Sequence, residues 1–129
     1  MKVIFDTSFI IYLLEKPSFA LDRIIDEIGM PEITVPNSVI RELEKLSKKK
    51  KIIKNYRLIS MEVFKEFNGN ADDDILNLAQ KTKYPVFTLD LELAKKLSEL
   101  GLQCYTLSND KIVACSFYKN IKIKTDKAI

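Results

Sequence analysis

Short apolar runs alternate along this chain with segments whose apolar residues recur every three or four positions, and that alternation constrains the fold more than any other feature. Lys2-Val-Ile-Phe5 reads as a buried strand, and Asp6-Thr-Ser8 supplies helix-capping residues ahead of Phe9, Ile10, Leu13 and Leu14. Pro17-Ser18 breaks that helix. A second follows through Leu21, Ile24, Ile25 and Ile28 and ends near Gly29. Residues 32–35 read as a strand, and Pro36-Asn37-Ser38 opens a third helix through Val39, Ile40, Leu43 and Leu46 into a lysine cluster. Residues 57–60 fit either a short strand or a turn. After the Asn68-Gly-Asn70 loop come a helix over 71–81, a strand over 85–89, a helix over 90–99 stopped by Gly101, and a strand over 103–107.

Right-handed crossovers between such units give a three-layer α/β/α sandwich with a mainly parallel central sheet, whose ligand site lies outside the carboxyl ends of the strands. The chain has 129 residues, enough for one core and too few for two, so residues 1–129 are read as a single domain. The basic, weakly patterned tail after Asn109 reads as a last strand and a C-terminal extension. With 47% hydrophobic and 30% charged residues, the chain is of globular type. Lys2-Val-Ile-Phe5 runs straight into Asp6 and does not read as a signal peptide, and no apolar run approaches the roughly 20 residues of a membrane span. A cytoplasmic protein is expected, with no membrane partner and with Cys104 and Cys115 as buried free thiols.

The absence of histidine removes Ser-His and Cys-His triads and His-ligated zinc, so any chemistry must run on carboxylates. Asp6 and Asp90 each follow an apolar strand and precede a helix. One such acid is an ordinary N-cap; two in one small sheet are harder to explain by capping alone. Asp72, Asp73 and Asp74 occupy the first turn of a helix, where the dipole favours negative charge. Spread through about 200°, they cannot all face one spot. Asp72, three residues before Ile75, falls on the core-facing stripe nearest the crevice. Asp73 and Asp74 point progressively outward, with Asp73 the better placed to reach the site. Glu42 lies between apolar positions on the third helix. Carboxylates gathered together repel unless a cation neutralises them, and Mg²⁺ selects oxygen ligands; the implied chemistry is phosphodiester hydrolysis.

Four blocks carry these acids: Val3-Ile-Phe-Asp-Thr-Ser-Phe9, Val39-Ile-Arg-Glu-Leu43, Ala71-Asp-Asp-Asp-Ile-Leu-Asn-Leu-Ala79 and Val86-Phe-Thr-Leu-Asp-Leu-Glu-Leu93. In order and spacing, over residues 2–107, the chain resembles a PIN domain. The resemblance implies Mg²⁺- or Mn²⁺-dependent RNA cleavage, endonucleolytic action and a homodimer, with Asp6, Glu42, Asp72 and Asp90 as the acidic site. It also implies Thr7, Ser8 and Thr88 as hydrogen-bonding supports and Glu92 as an extra acid. Leu89 departs from the family, which usually carries a polar residue before the fourth aspartate. The Ala-Asp-Asp-x-Ile form is similar both to archaeal relatives of ribosomal-RNA-processing PIN nucleases and to VapC-type toxins, which implies either a ribosome-assembly partner or an antitoxin.

Between Arg41 and Arg57, eight basic residues face two acids, a net +6 within a chain of net +3. The run Lys48, Lys49, Lys50 and Lys51 is read as an RNA-phosphate contact, its alternative being a solvated helix end. A haloacid-dehalogenase-type phosphotransferase would need an acid where Ser8 stands, and a receiver domain would place its acceptor after a later strand. The remaining rival is a PIN-like module that binds RNA or protein and cleaves nothing.

Overall fold

In the computed structural model, which describes residues 1–109 and 111–116 and only the backbone of 17–20, six strands form one sheet in the order β3-β2-β1-β4-β5-β6. The strands are β1 (Lys2–Phe5), β2 (Glu32–Pro36), β3 (Met61–Phe64), β4 (Val86–Phe87), β5 (Cys104–Ser108) and β6 (Lys111–Ala114). All neighbours run parallel except β5 and β6. Helices α1 (Thr7–Glu15), α2 (Pro17–Ile28), α3 (Asn37–Ser47), α4 (Ala71–Thr82) and α5 (Leu91–Glu99) complete an α/β/α sandwich. Within it α1 packs on α2 and α3, and α4 on α5.

The strand order reverses at β1. Connections from β1 and β2 step one way, to β2 and β3, whereas β4 lies on the other side of β1 and leads to β5. Such a switch point leaves a crevice between the carboxyl ends of the two central strands. Here Ile4 pairs with Val86 and Phe5 with Phe87, so the chain positions just past Phe5 and Phe87 open onto that crevice. Val3, Ile4, Phe5, Val86 and Phe87 are all fully buried, as continuous apolar runs covered on both faces should be.

Several sequence expectations are revised. β4 covers two residues where five were expected: past Phe87 the chain turns so that the Thr88 side chain reaches Asp6, although the Thr88 N–H still donates to Tyr105 O at 3.0 Å. The lysine cluster leads into a 3₁₀ helix over Lys51–Leu58, whose buried residues Ile53 and Tyr56 are three apart, the spacing that eclipses side chains in a three-residue turn. The segment read as either strand or turn around 57–60 and its neighbours resolves into β3 over 61–64. Cys104 and Cys115 form a disulfide across the β5–β6 hairpin, so neither is a free thiol. The register that sets Tyr105 opposite Ala114 makes the two cysteines the next facing pair. β6 is the last strand expected in the tail; residues 117–129 lie outside the described residues. Among the described residues no helix is long and apolar enough to cross a membrane.

Candidate active site

Asp6 ends β1 and caps α1. Its Oδ1 accepts hydrogen bonds from Phe9 N–H at 2.9 Å and Ser8 Oγ at 2.7 Å, and its Oδ2 accepts one from the Thr88 hydroxyl. Thr88 Oγ1 in turn accepts from the Asp90 N–H at 2.9 Å, and Ser8 Oγ accepts from the Leu89 N–H at 3.0 Å. The two hydroxyls thereby tie the end of β1 to the end of β4. Asp90 caps α5, accepting at Oδ1 from the N–H groups of Glu92 (3.0 Å) and Leu93 (3.3 Å).

One narrow cleft of about 70 Å³ at the switch point is lined by Asp6, Glu42, Asp72 and Asp90, with Thr7, Ser8, Val39, Ala71 and Ile75 completing its wall. Acidic residues from four separate segments therefore line one cleft. Thr7 is buried there, but its hydroxyl has no hydrogen-bond partner, so the hydrogen-bonding support expected of it is not observed; Ser8 and Thr88 do form theirs. Asp73 and Glu92 are exposed and outside the cleft wall.

Asp74 departs from the expectation that it points outward. It is buried, and its Oδ2 accepts the Gly69 N–H at 2.9 Å, which anchors the loop before α4. Nothing in the sequence pattern marks this pairing, because the donor is a loop backbone group that the folded turn brings to Asp74. Asn70 caps the same helix by accepting from the Asp73 N–H at 3.2 Å.

Electrostatically the cleft favours a cation. Burial pushes the Asp6 carboxyl up to about 6; hydrogen bonds from Thr88, Phe9 and Ser8 oppose this, and the charge of Asp90 adds to it. Phe5, Phe9 and Phe87, from the same stretches of chain as Asp6 and Thr88, form an aromatic cluster in the core. Phe5 and Phe9 have ring centroids 4.7 Å apart, and each lies 5.4 Å from Phe87. Asp72 is also raised, first by burial and then by the charge of Asp90. Both acids carry a cost that a nearby positive charge would relieve. Among the described residues no three acids are drawn into a ready-made metal cage. The donor set fits a hard, hydrated divalent ion, which keeps several waters beside one or two carboxylates.

The lysine run lies beyond the far end of α3. Lys48, Lys49, Lys50 and Lys51 are all exposed, and Lys50 pairs with Glu15 at 2.6 Å. Beside it, Arg57 and the Tyr56 hydroxyl both donate to Glu44, pinning the 3₁₀ helix to α3.

Fold and site together define a switch-point α/β protein with a carboxylate cleft, and comparison with known proteins gives the class a name. Residues 3–109 match the family model of the PIN like domain, so the chain belongs to the PIN-like domain family. It is similar to the solved structure of the PIN domain endonuclease Utp24, with TM-score 0.67 and 25% identity over 88% of this chain and 90% of that one. It also shares its fold with a domain of a functionally unknown protein from Methanocaldococcus jannaschii DSM 2661, at TM-score 0.54 and 21% identity over 83% and 91% of the two chains. No curated protein matches the sequence.

Proposed function

We propose that the chain is a ribonuclease that hydrolyses RNA phosphodiester bonds in a Mg²⁺- or Mn²⁺-dependent reaction, with Asp6, Glu42, Asp72 and Asp90 as its acidic site. The observation that carries this reading is that acidic residues from four separate segments line one narrow cleft at the switch point. Family membership and the likeness to the endonuclease Utp24 support the same reaction class and internal cleavage.

A divalent cation bound there would supply charge neutralisation at the phosphate and a lowered pKa for bound water. Asp6 and Asp90 would be its nearest holders, because they lie on the two central strand ends, with Asp72 and Glu42 closing the cleft from the helices. The clasp of Ser8 and Thr88 fixes the Asp6 carboxylate in a single orientation, so that both oxygens keep a constant direction as charge develops nearby. The cation would also hold Asp6 and Asp72 ionised against the burial that raises both.

One observation favours the silent-module reading: although four acids line the cleft, among the described residues no three of them stand close enough together to hold one ion. A single experiment separates the two. Purified protein is incubated with structured and single-stranded RNA in Mn²⁺, Mg²⁺ or EDTA, beside Asp6→Asn. Cleavage should require metal and disappear in Asp6→Asn while RNA affinity stays nearly intact. Binding without cleavage under every condition supports the module, and equal cleavage by both proteins overturns the assignment of Asp6. A toxin role with an antitoxin, an rRNA-processing role with a ribosome-assembly partner, and a homodimer are finer readings that rest on family resemblance. A cytoplasmic setting belongs with them, qualified by the Cys104–Cys115 bridge, since disulfides are rare in reducing cytosols outside hyperthermophiles.

A further inference from the structure

A second cleft, of about 330 Å³, opens beside the acidic one. Glu42 and Ala71 stand in the walls of both; Ser38, Arg41, Lys45 and the Gly69–Asn70 turn complete the second. Its chemistry is the reverse of its neighbour's. Arg41 Nη1 donates to Asn68 O at 2.6 Å and to Asn68 Oδ1 at 2.9 Å. The loop thus fixes the guanidinium at the cleft, while its other nitrogens form no hydrogen bond to a described residue. Lys45 is exposed and forms no ion pair among the described residues. Ser38, only 4% exposed, has a hydroxyl with no hydrogen-bond partner. Two cations and an unsatisfied hydroxyl make an anion seat, of which Arg is the planar, multi-donor half.

The carboxylate of Glu42 on the shared wall argues against a free small anion and for a tethered one. A polyanion with one phosphate at the acidic cleft has its next phosphate on the same strand, within reach of a cleft that shares a wall. Positions 38, 41, 45 and 48 are spaced three, four and three apart, which lays them along one face of α3 leading away from the acids, with about 6 Å of helix between Arg41 and Lys45. The lysine run comes later on this path, and one of its members is already paired with Glu15.

We infer that this cleft seats the RNA phosphate next to the scissile one, held by Arg41 and Lys45 with Ser38 at its wall, and that the strand leaves the acidic site along the exposed face of α3. This rests on the nuclease reading above.

The test measures binding of a short fluorescein-labelled single-stranded RNA by anisotropy across a KCl series. The background is Asp6→Asn, carrying Lys45→Gln, Arg41→Gln, both together, or the control Lys2→Gln at the opposite end of β1. Each lost phosphate contact should weaken binding several-fold and lower the slope of log affinity against log salt by roughly 0.7. Lys2→Gln should change neither. Arg41→Gln also frees Asn68, so Lys45→Gln, which removes no contact within the described structure, is the decisive variant. Affinity and salt slope unchanged in Lys45→Gln and in the double variant overturn the inference, even where the wild type cleaves RNA with Mn²⁺. Absence of both RNA binding by Asp6→Asn and cleavage by the wild type overturns the nuclease reading, and this inference with it.

Discussion

At the scale of single residues, Asp6 is the group on which stability and chemistry pull in opposite directions. Burial raises its carboxyl from 3.8 to about 6, so the charged form is the costly one in the metal-free protein. An acid raised in this way contributes most below about pH 4, where folded and unfolded chains are both protonated, and loses that contribution as pH rises through about 6. The shift corresponds to about 3 kcal/mol at neutral pH. In EDTA, Asp6→Asn should therefore exceed the wild type in stability at neutral pH by about 1–3 kcal/mol, since Asn keeps the cap. The gap should close near pH 4. Urea denaturation at several pH values reads this directly, and equal stability throughout would mean that burial of Asp6 carries no penalty. That Asp6, Glu42, Asp72 and Asp90 line one cleft was legible in the sequence, because Asp6 and Asp90 follow strands, Asp72 opens a core-facing helix stripe and Glu42 is flanked by apolar positions. Asp74 was not, because its role depends on a loop donor, Gly69 N–H, that only the folded turn brings near. The Ser38, Arg41 and Lys45 cluster was equally hidden, since Arg41 reads as one member of a basic run until the loop at Asn68 captures it.

At the scale of elements, the five α-helices were readable from apolar spacing and from their stops, Gly29 and Gly101, both at positive φ. The 3₁₀ helix was not. Its apolar period of three is carried by only two buried residues among exposed ones, half of them charged, too weak a signal without α3 and α1 to pack on. Strand β3 is equally faint, since as a sheet edge none of its side chains is fully buried. The loop between β3 and α4 is held by the Ser38 N–H on Phe67 O, by Arg41 on Asn68 and by Gly69 on Asp74. Asp74→Ala leaves the Gly69 donor without its acceptor and should cost about 1–3 kcal/mol. It should also loosen the turn that walls the second cleft. Chemical denaturation and hydrogen exchange at Gly69 are the measurements, and an unchanged midpoint would show that water replaces the carboxylate at no cost.

At the scale of the molecule, the disulfide and the site belong to different parts of the sheet, the bridge to the β5–β6 hairpin and the acids to the crevice past β1 and β4. Cys104 begins β5 beside Val86, whereas the acids lie past the carboxyl ends of β1 and β4. Reducing the bridge or replacing Cys115 by Ser opens a short loop, which should lower stability by about 2–3 kcal/mol. The separation argues that the affinity of Asp6→Asn protein for RNA should be unchanged. Thermal melts with and without reductant, beside an RNA titration, decide both halves of this expectation.

The switch point also governs when such a site could exist during synthesis. Asp6 and Glu42 are made early, but the hydroxyl that clasps Asp6 belongs to a residue 82 positions later, and Asp72 and Asp90 come with that second half. A growing chain therefore lacks at least one of the four acids, and the strand that forms one wall of the crevice, until the segment through Asp90 has emerged and paired with β1. The assembled cleft therefore arrives in one late step, and any activity that depends on it waits for the segment through Asp90.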